Sequence, residues 1–507
     1  MPQSYWIDSA PLPEHPPLRR DVDVDVIIVG GGITGITAAF LAKKAGKTVA
    51  LIDRDRCAMI DTGHTTAHLT AVTDLRLTEI KHTFGRHAAR ATWDAGLAAI
   101  DQIVKLIRQE DIDCDFHWVP GYLHASLRNV DAKKIKELED EATFARELGI
   151  KAEMQGAVPI FGVPGIKFSH QAIFHPRKYL AALLKVIPGG GSHVFEQTNA
   201  DEITDEPLAV KSGGHAIRGK YLILATHTPL QGTTGTLSAL LFQTKLALYT
   251  TYVVAGRIPK GVRPSASFWD NDDPYDYLRI EPKEDHDYAI FGGEDHKTGQ
   301  IDNTEEPYRR LETRLRAYLP EITLDHRWSG QVIETNDGLP FIGETSENQF
   351  ASTGYAGNGM TFGTLGAIMA VDRLLKRKNP WEELFEIDRK KILGSTWSYL
   401  MENKDYPFHL VRDWLASGEG DSTSQLAKGE GKILKLDGKK VAAYRDDGGK
   451  VTLCSPVCTH LKCIVDWNNA EKTWDCPCHG SRFQPTGEVI SGPAEEPLEK
   501  LSSAAKA

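Results

Sequence analysis

Five of the seven cysteines in this 507-residue chain lie between positions 454 and 478. Two of them stand close to histidines, Cys458 with His460 and Cys476 with His479, so each short segment offers one thiol and one imidazole. Two such pairs suit a tetrahedral zinc ion. They also suit a [2Fe–2S] centre in which the cysteines bind one iron and the histidines bind the other. The spacing predicts a metal centre and leaves both alternatives open.

The two segments resemble the CTHxxC and CPCHGS boxes of Rieske proteins from cytochrome bc-type complexes, and the resemblance covers about residues 425–505. It implies a [2Fe–2S] cluster on the four side chains named above. It also implies a disulfide between Cys463 and Cys478 that clamps the two loops over the cluster. These additional cysteines argue against zinc, because a tetrahedral site would not use them.

Three neighbouring positions bear on the redox potential that the resemblance implies. Ser481, which in the family donates to a bridging sulfide, is kept. Lys462 stands where the family commonly has glycine, and Phe483 stands where high-potential members have a tyrosine that donates to a cluster cysteine. Hydrogen bonds to the sulfurs tune the potential of such centres, so we expect the missing hydroxyl to lower it.

A second constellation lies near the N-terminus. Gly30, Gly32 and Gly35 form a G-x-G-x-x-G pattern directly after the apolar stretch 22–29. The first glycine permits a tight turn, the second lets backbone approach a pyrophosphate, and the third allows close helix–strand packing. Asp53 ends the next apolar stretch and can accept hydrogen bonds from a ribose. The pattern predicts dinucleotide binding, with FAD and NAD as alternatives.

Residues 21–385 resemble the glycine oxidase / D-amino-acid oxidase-like flavoproteins, which implies FAD. In that family an Asp-Gly-x-Pro segment and a Gly-rich loop close over the flavin, and another segment passes its ring and pyrophosphate. The matching positions in this sequence are Asp337, Gly338, Gly357, Gly359, Met360 and Thr361 for the first two, and Thr65 and Thr66 for the last.

The resemblance also suggests a C–N bond as the reacting group, hence a small amine or amino-acid-like substrate. Arg279 is the candidate for binding a substrate carboxylate, since arginine forms bidentate pairs with carboxylates. His64 is a candidate beside the flavin, and His227 follows a buried strand and is expected to line the cofactor cavity. Tyr252 and Tyr277 are expected to serve sheet packing instead.

Hydrophobic patterns indicate the elements that must position these residues. Residues 22–29 and 47–53 are typical of strands on either side of a helix, and 75–150 of helices. Alternation over 245–292 predicts an antiparallel sheet, and the short strands and turns from residue 426 predict a small all-β domain. The fold class is therefore α/β plus all-β, with a Rossmann-like FAD-binding domain interleaved with an antiparallel-sheet substrate domain and followed by a Rieske domain.

The domain boundaries follow from these patterns and resemblances. They are an N-terminal irregular arm at 1–20, a flavoprotein at 21–385, a connecting segment at 386–425 and a Rieske domain at 426–505. Within the flavoprotein, FAD-binding parts at about 21–75, 150–245 and 330–385 alternate with substrate parts at about 76–149 and 246–329.

The sequence predicts an FAD-dependent oxidoreductase that dehydrogenates its substrate and relays electrons through the cluster to a redox protein or a quinone. An alternative is an electron-transfer reductase whose Rieske domain docks a redox partner. No second G-x-G-x-x-G motif occurs, which argues against a separate NAD(P)H domain. The net charge of −10 argues against nucleic-acid binding, and the lack of a long apolar run against a transmembrane segment. The expected location is the cytoplasm.

Overall fold

The structure is a computed structural model, and it describes residues 3–128, 131–228, 245–389 and 419–501. Most of the predicted connecting segment, residues 390–418, lies outside the described residues. Among the residues described, no helix combines the length and the apolar character that a bilayer span requires.

The described helices and strands are numbered here in chain order. The helices are α1 Tyr5–Ser9, α2 Ile33–Lys44, α3 Leu77–Phe84, α4 Arg86–Gln109, α5 Ala132–Glu147, α6 Pro176–Val186, α7 Glu306–Tyr318, α8 Gly359–Leu374 and α9 Glu382–Phe385. The first strands are β1 Val22–Asp23, β2 Val26–Val29, β3 Val49–Ile52, β4 His68–Leu69, β5 His117–His124, β6 Ala152–Gln155, β7 Gly165–Ile173, β8 His193–Phe195, β9 Glu202–Asp205, β10 Leu208–Ser212, β11 His215–Arg218, β12 Tyr221–Leu224 and β13 Leu246–Pro259. The remaining strands are β14 Ala266–Asp270, β15 Tyr277–Pro282, β16 His286–Lys297, β17 Thr323–Thr335, β18 Phe341–Ser346, β19 Gln349–Thr353, β20 Glu430–Leu436, β21 Lys439–Arg445, β22 Val451–Cys454, β23 Asp466–Asn468, β24 Thr473–Asp475, β25 Arg482–Phe483 and β26 Val489–Ser491.

A six-stranded sheet in the order β18-β19-β12-β2-β3-β8 carries the glycine-rich turn. Its strands are parallel except for β18, which pairs antiparallel with β19. Val26 and Ile28 pack into the core that contains α2 and α8, whereas Ile27 and Val29 pack into a second core shared with the sheet β1-β11-β10-β9. Because both faces are covered, β2 is continuously apolar, as parallel strands commonly are.

A nine-stranded, largely antiparallel sheet forms the second part of the flavoprotein, in the order β17-β13-β16-β15-β14-β5-β7-β4 with β6 beside β7. Helix α7 packs against β13 and β16. The predicted antiparallel sheet is thus present. The predicted helical stretch 75–150 differs in one respect, since it also contributes β5, whose neighbours β14 and β7 lie far away in the sequence.

The sequence pattern predicts an irregular arm at residues 1–20, but part of this segment is helical. Helix α1 begins after Ser4, whose hydroxyl caps it by accepting from the Ile7 N–H. The Trp6 ring is fully buried, and its indole N–H donates to the backbone oxygen of Thr65 at 2.6 Å. The segment therefore packs against the loop that follows the first βαβ unit.

The C-terminal part is all-β, as predicted, and consists of the sheets β20-β21-β22 and β23-β24-β25-β26. Its small core includes Trp474 and Phe483 together with the two predicted ligand cysteines. The buried Arg482 lies 3.1 Å from the Asp475 carboxylate, which compensates its charge. This compact unit brings its two ligand segments together at one end.

Candidate functional site

The glycine-rich turn has the geometry that its pattern predicts. Gly30 has φ +107°, and a Cβ there would lie 2.5 Å from the backbone oxygen of Ala225. A Cβ at Gly35 would lie 1.8 Å from the Gly30 oxygen, so helix α2 can approach the turn this closely only without a side chain. Gly32 caps α2, and the helix start leaves backbone N–H groups for an anion. The turn fits the pyrophosphate of a dinucleotide.

Asp53 and Thr62 hold this turn in place. The Asp53 carboxylate accepts from the Gly31 N–H at 2.7 Å, and the Thr62 hydroxyl accepts from the Ile33 N–H at 3.1 Å. Burial raises the pKa of Asp53. Asp53 lines the cavity, and its contact with a ribose stays a prediction. Thr62, which sequence reasoning did not single out, lines the cavity as well.

The large cavity, about 300 Å³, extends from the turn to the nine-stranded sheet. His64, Thr65 and Thr66 all line it. The His64 Nδ1 lies 2.7 Å from the Ile60 oxygen, which fixes the ring, and burial lowers the pKa of His64. Thr65 accepts from the Ala67 N–H at 2.9 Å. All three residues thus border the cavity, and the cofactor contacts expected of them stay predictions.

Three of the four predicted residues in the second glycine-rich loop line the same cavity. These are Gly357, in the turn before α8, and Gly359 and Met360, the first two residues of α8. The N-terminus of α8, with its partial positive charge, therefore adjoins the cavity and makes this part of it a favourable place for negative charge. Thr361 does not line the cavity. Its hydroxyl donates to the Thr70 oxygen at 3.0 Å, which joins α8 to the residue that directly follows β4.

Asp337 and Gly338 lie outside the cavity lining. The Asp337 carboxylate forms a two-pronged ion pair with Arg389, with distances of 2.5 and 2.8 Å. Arg389 also donates to the backbone oxygens of Leu339 and Pro340. These contacts fix the turn between β17 and β18.

Arg279 also lies beneath the cavity and not in its lining. It is fully buried, and its guanidinium donates to the backbone oxygens of Thr66 and Ala67 at 2.9 and 2.7 Å and to the Glu281 carboxylate. These contacts support the segment that carries the two predicted threonines. His227 does line the cavity, with Nδ1 3.2 Å from the Asp61 carboxylate.

Sequence reasoning missed a group of cavity residues on the nine-stranded sheet and the adjoining loops. We call this group the acid–aromatic wall, and its members are Asp74, Trp269, Tyr275, Tyr277 and Asp295. Tyr277 was expected to serve sheet packing alone, but it faces the cavity. Burial raises the pKa of Asp295 to about 7, and the nearby carboxylate of Asp74 adds to this. Their separation in the sequence left no spacing signal by which to find them.

The predicted metal ligands come together at the end of the C-terminal domain. The His460 and His479 rings have centroids 4.9 Å apart, and Cys458 and Cys476 are buried beside each other. The Cys476 side chain lowers the pKa of the Cys458 thiol, and the backbone N–H groups of His460 and Leu461 add to this effect. Burial lowers the pKa of His460 to about 4 and that of His479 to about 3. Two neighbouring cysteine sulfurs beside two neutral imidazoles form the donor set that a Rieske-type [2Fe–2S] centre requires.

Cys463 and Cys478 are joined by the expected disulfide, so their sulfurs do not act as free thiol ligands. Both ligand loops turn through left-handed residues, Lys462 with φ +63° and Gly480 with φ +71°. Lys462 therefore adopts a backbone conformation that favours glycine, the residue common at this position in the family it resembles. Ser481 is fully buried, and its side chain hydrogen-bonds to Cys458.

The cluster loops and the cavity meet at a shared boundary. Gln331 lines the cavity and donates to the Gly480 oxygen at 2.8 Å, directly after the predicted ligand His479. Gln300 donates to the Pro477 oxygen at 3.0 Å, in the same ligand loop. The stretch Ile490–Glu495 of the C-terminal domain also lines the cavity. One side chain thus separates the cavity from the loop that holds two predicted ligands.

Comparison with known proteins agrees with the assignment of both the dinucleotide-binding part and the C-terminal domain. The FAD dependent oxidoreductase family matches residues 25–373, and the Rieske [2Fe-2S] domain family matches residues 419–502. The chain is 33% identical to the Rieske 2Fe-2S iron-sulfur protein YhfW of Bacillus subtilis (strain 168), over 99% of this chain and 97% of that protein.

Two further similarities concern the separate halves. The cytochrome b6-f complex iron-sulfur subunit of Chlorobaculum thiosulfatiphilum is 43% identical over 80 residues, which cover 16% of this chain and 44% of that protein. The crystal structure of glycine oxidase from Geobacillus kaustophilus aligns with a TM-score of 0.61 at 17% identity, over 73% of this chain and 99% of that one, and this likeness shows the fold alone. The Rieske match decides between the two metal centres in favour of [2Fe–2S].

Proposed function

Since the chain belongs to the FAD dependent oxidoreductase family and ends in a Rieske [2Fe-2S] domain, we propose that it dehydrogenates a small amine or amino-acid-like substrate and relays the electrons through its cluster to a redox protein or quinone. Its cofactors are FAD and a [2Fe–2S] cluster. FAD supplies two-electron oxidation of the substrate and can release electrons singly, which a one-electron iron–sulfur centre requires.

The observation that carries the relay is the contact between the cavity wall and the ligand loop. Gln331 belongs to both, because it lines the cavity and donates to the Gly480 oxygen. The cluster end is also accessible from outside, since His460 and His479 are only partly buried. Electrons would therefore have a short route into the cluster and an exposed edge at which an acceptor could approach.

The other named residues have binding and positioning tasks in this proposal. Gly30, Gly32 and the start of α2 would hold the pyrophosphate, with Asp53 at the ribose. Gly359 and the start of α8 would face the pyrimidine edge of the flavin and favour negative charge there. Arg279 would act as a positioning residue that supports the segment around Thr66 from below.

Support for C–N chemistry comes from the glycine oxidase structure, whose fold this chain shares. The proposal is tested by mixing the purified holoenzyme anaerobically with a panel of amines and amino acids and, separately, with NADH. Flavin absorbance would report substrate oxidation, and freeze-quenched EPR would report cluster reduction. We expect a competent substrate to bleach the flavin and then produce the EPR signal of the reduced cluster.

A Cys458→Ser variant sharpens this test. It should bleach with the same substrate but fail to reduce a one-electron acceptor. Flavin reduction by NADH and by no amine or amino acid would favour the electron-transfer reductase instead. A cluster that dithionite reduces but substrate never reduces would rule out the relay.

A further inference from the structure

A β-bulge aims a carboxylate into the cavity. Strands β13 and β16 pair Thr250 with His296 and Tyr252 with Gly293, so two residues of β16 oppose Thr251 alone. These two residues are Glu294, with φ +61°, and Asp295. Bulges of this kind re-aim side chains at functional sites. Here the bulge turns Asp295 into the cavity lining.

Asp295 differs from the acidic residues around it. Glu294 pairs with Arg310 and Arg314, and Asp276 pairs with Arg314 as well. Within the described ranges, no lysine or arginine forms an ion pair with Asp295, and its buried Oδ1 has no hydrogen-bond partner. A buried carboxylate without a cation is costly, which suggests that a ligand supplies the missing charge.

Asp74 adds a second carboxylate to the same wall. It accepts from the Tyr275 hydroxyl at 2.9 Å and from the Gly357 N–H at 2.6 Å. No lysine or arginine of the described chain forms an ion pair with it either. Asp295 has a side-chain hydrogen bond with Thr251, which leaves its Oδ1 without a partner. The wall therefore presents two acidic side chains whose hydrogen-bond donors in the described chain are neutral.

The aromatic members of the wall suit the same kind of ligand. Tyr275 and Tyr277 have ring centroids 5.7 Å apart, and the Tyr277 hydroxyl lies 2.7 Å from that of Thr251, which fixes its ring. Trp269 lies on the neighbouring strand β14, directly opposite Tyr277. Aromatic faces attract cations, and a set of such rings is typical of sites for substituted ammonium groups.

The arginines near the cavity are engaged elsewhere. Arg279 lies beneath the lining, and the Arg76 guanidinium donates to the backbone oxygens of Thr73 and Asp270. Arg54 and Arg56 line the cavity beside Asp53, on the cofactor side. His68 stays neutral, because burial lowers its pKa to about 3. A substrate carboxylate at the wall would therefore meet like charge without a compensating cation.

We infer that the acid–aromatic wall binds the substrate as an ammonium cation, and that the substrate is an alkyl amine without an α-carboxylate. This inference rests on the proposed function, since it concerns the substrate of the same cavity. Asp295 carries the main ionic contact, Asp74 adds long-range attraction, and the three rings surround the cation.

Matched ligand pairs test the inference directly. Dissociation constants would be measured for methylamine against glycine, ethylamine against alanine, and pyrrolidine against proline. The readout is the change in the flavin spectrum of oxidised holoenzyme, which needs no turnover. We expect each amine to bind at least about tenfold more tightly than its carboxylate partner, as one charge-assisted contact is worth that much.

Three variants accompany this series. Asp295→Asn should weaken amine binding about tenfold, while Asp295→Glu should retain most of it because the charge remains. Asp302→Asn, at an exposed acid outside the cavity lining, should change nothing. FAD content and melting temperature would establish that each variant folds.

The outcomes separate the two claims. Amino acids that bind as tightly as the matched amines would overturn the inference, as would amine binding that Asp295→Asn leaves intact. If the inference were overturned in this way but amino acids reduced the flavin, the proposed function would still stand. Amines that bind through Asp295 but never reduce the flavin would sustain the ammonium-binding site, but they would remove the proposed function and the claim that the amine is the substrate.

Discussion

The two cofactor sites of this chain are built in opposite ways. The cluster site is predicted to use side chains from two short loops, with predicted ligands such as Cys476 and His479 only three positions apart. The predicted FAD site uses backbone from segments that are distant in the sequence, such as those of Gly30 and Gly359. These two segments follow β2 and β19, which belong to the same sheet. A side-chain site should fail when one ligand changes, whereas a backbone site should fail when a side chain is added.

Replacing a ligand cysteine should give the largest effect. Cys458→Ser removes a thiolate, and a [2Fe–2S] centre needs two terminal ligands on each iron. We expect essentially complete loss of cluster iron and sulfide with FAD content unchanged, measured by metal analysis and flavin absorbance. Cys454→Ser, at a buried cysteine of the same core, should keep its iron. Full iron content in the Cys458 variant would contradict the ligand assignment.

The converse experiment adds a single methyl group to the glycine-rich turn. In Gly30→Ala the new Cβ would meet the Ala225 oxygen at 2.5 Å, in a backbone conformation that alanine rarely adopts. We expect FAD affinity to fall at least about tenfold, equivalent to about 1.4 kcal/mol, while the cluster remains. Flavin titration of the apoprotein and EPR of the cluster provide the two readouts.

Gly46→Ala is the matched control for this change. Gly46 also has positive φ, but a Cβ there would have no atom within 4 Å. It should therefore cost some stability and leave FAD binding intact. Equal loss of FAD in both variants would mean that general destabilisation, and not the close approach at the turn, is responsible.

This contrast also explains what could be predicted from the sequence. The glycine-rich turn and the four predicted cluster ligands could be singled out because closely spaced residue types specify them. The antiparallel sheet followed from hydrophobic periodicity. Strand β5 was not anticipated, because it pairs with β7 and β14 across long sequence separations.

The substrate side of the cavity was the least predictable part. Asp295 reaches it through a β-bulge, and Asp74 through a loop that packs against α8. Neither position has a spacing signal, since each depends on tertiary pairing. Arg279 has the residue type expected for a carboxylate contact, but its guanidinium is taken up by backbone oxygens below the cavity.

A smaller change concerns the potential of the cluster. Phe483 is fully buried in the core that contains Cys458 and Cys476. Phe483→Tyr adds a hydroxyl that can donate to a cluster cysteine, and a bond about 1 kcal/mol stronger in the reduced state raises the potential by about 40 mV. Protein-film voltammetry measures the midpoint. Phe483→Leu, which adds no hydroxyl, should not raise it, and an unchanged midpoint in a cluster-replete tyrosine variant would refute the hypothesis.

The smallest expected effect arises where the side-chain site itself depends on backbone conformation. Lys462 has φ +63° in the first ligand loop, and Lys472 has φ +57° in the turn between β23 and β24. Glycine relieves the strain at such positions, although its greater freedom in the unfolded chain offsets part of the gain, which leaves about 0.5 kcal/mol. Lys462→Gly should therefore raise the urea midpoint for iron release slightly, and Lys472→Gly should raise the unfolding midpoint by a similar amount. If Lys472→Gly stabilised the domain and Lys462→Gly weakened iron retention, the lysine side chain in the ligand loop would matter more than its backbone conformation.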